Sequence, residues 1–256
     1  MRDRIVSILD ERISRYRQGF GIVVGLATPD DTLVVAAGSR DPARQLPMDE
    51  DGLFAIGSVT KVFTTTLLAT MVERGELELD QPVQSLLPGD ITLPTRDGQP
   101  ITLEHLATHS SGLPNLPDNM TPNDGLRPAV EYSVGEMHRF LSSCTLSDAF
   151  GRAARYSNLG IGLLGHALGL RAGADFGRVL HDRVLSVLGM DSTHLFAVPW
   201  HLQDRRVPDI NPSADRSSAG RAARLRDVDR SIRAPETSSD SCRPTSVCST
   251  HRWARP

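Results

Sequence analysis

Lysine is almost missing from this chain: of its 28 Lys and Arg residues, only Lys61 is a lysine. Every other cationic position carries a guanidinium, which stays protonated in proteins, so Lys61 alone could work as a neutral amine. Cysteine is scarce as well. Cys144, Cys242 and Cys248 form no Cys-x-x-Cys pair, which argues against a disulfide scaffold and a zinc ribbon. No window approaches the roughly 18 to 20 uncharged apolar residues of a membrane span, so no integral membrane protein is expected. The N-terminus lacks the unbroken apolar stretch of a secretory signal. Ile5, Ile8, Leu9, Ile13 and Tyr16 recur there at helical spacing among charges, and a chain beginning as written would stay in the cytoplasm. Aromatics are few, at 5%, but 39% apolar and 23% charged residues in 256 are ordinary for a globular chain with a sizeable core.

Charge divides the chain in two. Residues 1–200 carry 17 basic and 24 acidic side chains, whereas residues 201–256 carry 11 basic and 7 acidic. Past Trp200, arginines are scattered among Ser, Pro and Asp with no sustained apolar period, which predicts an irregular, solvated tail over 201–256. Runs such as Asp215-Arg-Ser-Ser-Ala-Gly-Arg221 could neutralise phosphates, but Trp253 is the only aromatic there and no nucleic-acid-binding fold surrounds it. Nucleic acid is therefore not an expected partner.

Within the body, Gly21-Ile-Val-Val-Gly-Leu-Ala27 and Thr32-Leu-Val-Val-Ala-Ala-Gly38 flank Pro29-Asp-Asp31 and predict a hairpin after the first helix. Residues 59–73 have a helix-compatible composition that Ser58 is placed to open. Val62, Thr64, Thr65 and Thr66 weaken its intrinsic propensity, so burial must hold this helix. Prolines and glycines break residues 75–130 into short elements, and helical periodicity resumes over 134–146, 159–170 and 176–188.

Ser58-Val-Thr-Lys61 has the Ser-x-x-Lys form, and at a helix start two residues three apart share a face, so hydroxyl and amine can meet. The unpaired N–H groups there disfavour a nearby ammonium and favour a developing oxyanion. A buried lysine in that field could take the serine proton, which arginine cannot do. The bland alternative is a capping serine followed by a surface lysine. Tyr156-Ser-Asn158 precedes a second helix; a tyrosine oxygen near an ammonium can act as a general base, and an asparagine amide can fix the lysine or bind a substrate carbonyl. Here the alternative is an N-cap region with an incidental tyrosine.

Taken together these residues resemble the penicilloyl-serine hydrolases, specifically the class C β-lactamases with their related esterases and D-Ala-D-Ala carboxypeptidases. Residues 54–65 look like the nucleophile helix of that family, and Gly75-Glu-Leu-Glu-Leu-Asp-Gln-Pro-Val83 looks like the segment that follows it. Leu106-Ala-Thr-His-Ser-Ser-Gly-Leu-Pro114, Tyr156-Ser-Asn-Leu-Gly160 and Leu188-Gly-Met-Asp-Ser-Thr193 are similar to its signatures in family order. The resemblance covers roughly residues 15–200. It implies an α/β (α+β) fold of the β-lactamase and D-Ala-D-Ala peptidase type, an antiparallel sheet with flanking helices plus an all-helical domain. It also implies a serine hydrolase acting through an acyl-enzyme on a β-lactam, a D-Ala peptide or an ester, without cofactor or metal. Ser58 would be the acylated nucleophile, Lys61 its proton acceptor and hydrogen-bond partner, Tyr156 the assisting base, and Asn158 a ligand for Lys61 and substrate. The division of the proton between lysine and tyrosine stays open. Relatives are often exported, so a start further upstream would place the protein in the periplasm.

The resemblance stops short at the family's third motif, Lys-Thr-Gly or His-x-Gly on a late strand. No lysine follows Lys61, and neither His201-Leu-Gln nor His251-Arg-Trp fits. Loss of one oxyanion donor costs on the order of 100- to 1000-fold in rate. The expectation is an incomplete domain over 1–200 that lacks its C-terminal strands, a reading frame disrupted near or after Trp200, and reduced or absent turnover. The alternative function is a remnant that at most binds such ligands or is acylated by them. Gly160-Ile-Gly-Leu-Leu-Gly165 has the Gly-x-Gly-x-x-Gly form without a preceding strand, and reads as close helix packing. His105 and His109 are spaced like zinc ligands on a helix, yet no Glu follows His105; they read as a cap and brace for the loop after them. Asn119-Met-Thr121 has the glycosylation form, which means little without secretion.

Overall fold

A computed structural model of the chain describes residues 1–120, 132–146, 150–151, 153–195 and 198–208. Cys242, Cys248 and the tail beyond residue 208 lie outside the described residues. Helix α1 (Arg2–Ser14) leads into strands β1 (Gly21–Ala27) and β2 (Thr32–Asp41), and the short β3 (Leu46–Pro47) lies on the other side of β2. The sheet is antiparallel, with Gly21 opposite Gly38 and Ala27 opposite Thr32. The expected turn closes the hairpin: the Asp31 N–H donates to Thr28 Oγ1 at 3.0 Å. Gly38 has φ +86°, and a Cβ there would collide with the Phe20 carbonyl oxygen, so only glycine fits. Leu9 of α1 packs on Val35 and Ala37 of β2 to form a small core on one face of the sheet.

The larger core is helical. Helices α2 (Thr60–Glu73) and α5 (Asn158–Ala172) pack together, and α3 (Leu103–Ala107) and α6 (Phe176–Leu180) close on α5. Leu67, Met71, Leu103, Leu106, Leu163 and Leu164 are sealed from solvent there, and α4 (Val134–Leu141) adds Met137, Phe140 and Leu141. Burial therefore holds α2, as its weak propensity requires. Its threonines are satisfied within the helix: Thr64, Thr65, Thr66 and Thr70 donate to carbonyls one turn back at 3.2, 3.1, 2.8 and 2.9 Å. The glycines of α5 serve packing. A Cβ on Gly165 would lie 3.3 Å from the Phe176 ring, and one on Gly169 would lie 3.0 Å from the Ala174 carbonyl oxygen, so α6 approaches α5 closely.

Three stretches differ from the sequence expectation. Helix α4 ends at Leu141 rather than near 146: the Ser143 hydroxyl donates to the Arg139 and Phe140 carbonyls at 3.2 Å, and the Cys144 N–H turns back to Phe140 at 2.9 Å. Over 176–188, α6 gives way at His181–Leu185 to a wider π turn, in which the Ser186 N–H reaches back five residues to His181 at 2.8 Å. Beyond Trp200, residues Trp200–Arg205 form a 3-10 turn, and Leu53 pairs with Arg206 in a parallel bridge. That contact uses backbone groups, Leu53 N–H to Arg205 and Val207 N–H to Leu53, both at 2.8 Å, and so leaves no side-chain period to read. Among the described residues no helix is long and apolar enough to cross a membrane.

Candidate active site

Two helix starts, of α2 and α5, converge. Ser58 does not itself open α2: it sits in a 3-10 turn, Gly57–Val59, and no side chain caps the helix that begins at Thr60. Gly57 takes φ +52°, which lets the chain turn sharply into Ser58. The Ser58 hydroxyl is thus left free of capping duty and exposed. Lys61, one turn on, brings Nζ to 3.3 Å from Ser58 Oγ, as the spacing predicts.

From 98 residues away, Tyr156 brings its Oη to 2.5 Å from Ser58 Oγ. Asn158 Oδ1 accepts from Lys61 Nζ at 2.6 Å, and that nitrogen stands 4.7 Å from the Tyr156 ring centroid. All four residues singled out in the sequence are therefore brought together: Lys61 and Tyr156 reach the Ser58 hydroxyl, and Asn158 reaches it through Lys61. One element of the expectation changes. The lysine expected to be buried is only half-buried, and the Lys61 nitrogen first and the Ser58 hydroxyl second hold the Tyr156 phenol below the ordinary tyrosine range.

The turn before α5 is held by the loop after α3. Ser157, 1% exposed, accepts from the Gly160 N–H at 2.8 Å as N-cap and donates to the Pro114 carbonyl at 2.6 Å. The Ser157 N–H donates to His109 Nδ1 at 3.1 Å, and the His109 ring lies 4.8 Å from that of Tyr156. Burial, and then Lys61, keep His109 below the usual histidine range, so its nitrogen stays available as an acceptor. His105 points elsewhere: its Nδ1 accepts the Thr102 N–H in a capping box that opens α3, and its ring stacks on Phe150. The two histidines thus cap and brace, as their context suggests. Among the described residues no group of three or more His, Cys, Asp or Glu side chains could hold a metal ion.

Asn115 is the residue that sequence reasoning missed. Its Oδ1 accepts from Asn158 Nδ2 at 2.8 Å and from the Asn158 N–H at 3.3 Å, and its carbonyl accepts the Leu159 N–H at 3.1 Å. It stands in a proline-flanked loop 43 residues before its partner, and no spacing rule reaches that far.

A serine hydroxyl flanked by an amine and a phenol thus stands where the turn before α2 meets the turn before α5. The Beta-lactamase family model matches residues 9–235, and the chain belongs to that family. It is 31% identical over 157 residues to the D-alanyl-D-alanine-carboxypeptidase/endopeptidase AmpH of Escherichia coli (strain K12), covering 61% of this chain and 40% of that one. It is 31% identical over 215 residues to the esterase EstB of Burkholderia gladioli, covering 77% of this chain and 54% of the other. The structure of a beta-lactamase/D-alanine carboxypeptidase from Yersinia pestis superimposes with a TM-score of 0.70 at 26% identity, over 80% of this chain and 57% of that one. The chain spans about half the length of the relatives it matches.

Proposed function

We propose that the chain is a serine hydrolase that works through an acyl-enzyme on a β-lactam, a peptide ending in D-alanine, or an ester. The observation that carries this reading is that Ser58 Oγ lies 2.5 Å from Tyr156 Oη and 3.3 Å from Lys61 Nζ at once. Tyr156, its phenol lowered by Lys61, is the proton acceptor in this scheme, and Lys61 supports its anion. The Ser58 O–H bond breaks and its proton passes to the Tyr156 phenolate as Oγ bonds to the substrate carbonyl carbon. The tetrahedral oxyanion then collapses, the bond to the leaving nitrogen or oxygen breaks, and the leaving group takes the proton from Tyr156. Water repeats the sequence on the serine ester and restores Ser58.

The relatives named a carboxypeptidase/endopeptidase and an esterase support amide and ester substrates equally, and the site is open enough for either: Tyr156 is 48% exposed. The test mixes the protein with a chromogenic cephalosporin and, separately, a p-nitrophenyl ester. Hydrolysis that disappears in Ser58→Ala is the expected result. A folded wild type that neither hydrolyses these compounds nor binds a labelled penicillin covalently contradicts the reading. Trapping of the penicillin without release marks acylation without turnover.

A further inference from the structure

We propose that Asn115 is a positioning residue that fixes which end of the Asn158 carboxamide faces Lys61, and thereby holds the Lys61 amine between Ser58 and Tyr156. The orientation propagates from a group that has no choice. A backbone N–H can only donate, so the contact from the Asn158 N–H at 3.3 Å requires the Asn115 atom there to be its oxygen. The same oxygen lies 2.8 Å from the Asn158 side chain, which must then present its NH2. The Asn158 carbonyl oxygen is left on the other side, where it accepts from Lys61 Nζ at 2.6 Å. A flipped amide would set NH2 against the lysine, two donors face to face. Without Asn115 only the lysine itself selects that oxygen, the NH2 end of the carboxamide is no longer tied, and the anchor that keeps the lysine beside Ser58 Oγ and 4.7 Å from the tyrosine ring is loosened.

Asn115 is itself exposed, and only its side-chain oxygen reaches Asn158, so replacing it removes this contact without digging into the core. Asn115→Leu deletes the acceptor at similar size, Asn115→Ala deletes it with less bulk, and Asn115→Asp keeps it. The readout is the ionisation of Tyr156, followed by near-ultraviolet titration of the full chain with circular dichroism as the check on folding. Of the three tyrosines, burial pushes Tyr132 up to about 12, while the Lys61 nitrogen beside Tyr156 holds that phenol low. The transition that belongs to Tyr156 is identified by its loss in Tyr156→Phe. Lys61 from α2 and His109 from the loop both face it, and burial holds His109 below the ordinary histidine range, so it is neutral throughout the alkaline range.

Asn115→Leu and Asn115→Ala are expected to move this transition up toward that of an ordinary tyrosine, and Asn115→Asp to leave it below theirs. Adding Lys61→Met to Asn115→Leu should then shift it little further, because the effect runs through Lys61. A transition that stays at its wild-type pH in folded Asn115→Leu or Asn115→Ala overturns the proposal and reduces Asn115 to a loop tie. The second arm rests on the proposed function: acylation of Ser58 by a p-nitrophenyl ester should slow about 10- to 100-fold in Asn115→Leu, the scale of a misplaced catalytic group, and recover in part in Asn115→Asp. If wild type fails to acylate while the titration behaves as described, the hydrolase reading falls and the positioning role stands.

Discussion

Ser157→Ala probes the joint between the α5 start and the loop after α3. Ser157 is 1% exposed and its hydroxyl does two things: it accepts the Gly160 N–H at 2.8 Å and donates to the Pro114 carbonyl at 2.6 Å. Removing an N-cap hydroxyl costs about 1 kcal/mol, within a range of roughly 0.5 to 2. Depriving the Pro114 carbonyl of its donor in a part-buried place costs about another 1 kcal/mol or more. Equilibrium urea unfolding should therefore show a loss of about 2 to 3 kcal/mol, which for a urea slope of roughly 1 to 3 kcal/mol/M lowers the midpoint by about 1 M. Tyr156 and Asn158 flank Ser157, so the ester-acylation rate should fall in the same variant under conditions where it remains folded. A loss below about 0.5 kcal/mol, the scatter of ordinary surface substitutions, would mean that this hydroxyl does not join loop to helix.

Three further outcomes are expected. Gly165→Val should destabilise by about 1 to 3 kcal/mol through overpacking, since a Cβ there already lies 3.3 Å from the Phe176 ring; an unchanged melting temperature would show that α5 and α6 are not in close contact. Burial first, and the neighbouring His138 second, lower His166 to about 4, against 6.5 for an ordinary histidine. Between those values the unfolded chain holds the extra proton, so this contribution is present above about pH 6.5 and is lost as pH falls toward 4, on the order of 3 kcal/mol in all; urea midpoints across this range in wild type and His166→Gln should converge in slope if His166 carries nothing. Lys61→Arg keeps the charge but replaces a compact ammonium with a planar fork, which cannot occupy a point 3.3 Å from Ser58 Oγ and 2.6 Å from Asn158 Oδ1, and acylation should fall at least about 100-fold; near-wild-type rates would remove Lys61 from the proposed mechanism.

What could be read in the sequence was local. The hairpin shows as two β-rich runs across Pro29-Asp-Asp31, α5 as an apolar stretch after Ser157, and the Ser58–Lys61 contact as a spacing of three. The meeting of Tyr156 and Asn158 with that pair came from family resemblance, because no periodicity links residues 97 and 98 positions apart. Asn115 could not be found this way: its role depends on which end of an amide faces a backbone donor. The half-burial of Lys61 was equally hidden, since a residue at a helix start is covered or exposed according to what packs over it. The end of α4 and the slip into a π turn at His181–Leu185 turn on single hydrogen bonds that apolar periodicity does not register.

The central claim is that Ser58 is made nucleophilic by Tyr156 with Lys61 beside it. The most direct measurement is peptide mapping by mass spectrometry after brief exposure to a p-nitrophenyl ester, with release of p-nitrophenol followed in parallel. The account expects a single acyl group on the peptide bearing Ser58, absent in Ser58→Ala and formed far more slowly in folded Tyr156→Phe. Acyl groups spread over other side chains, or formed on Ser58 at the same rate without the phenol, would contradict it.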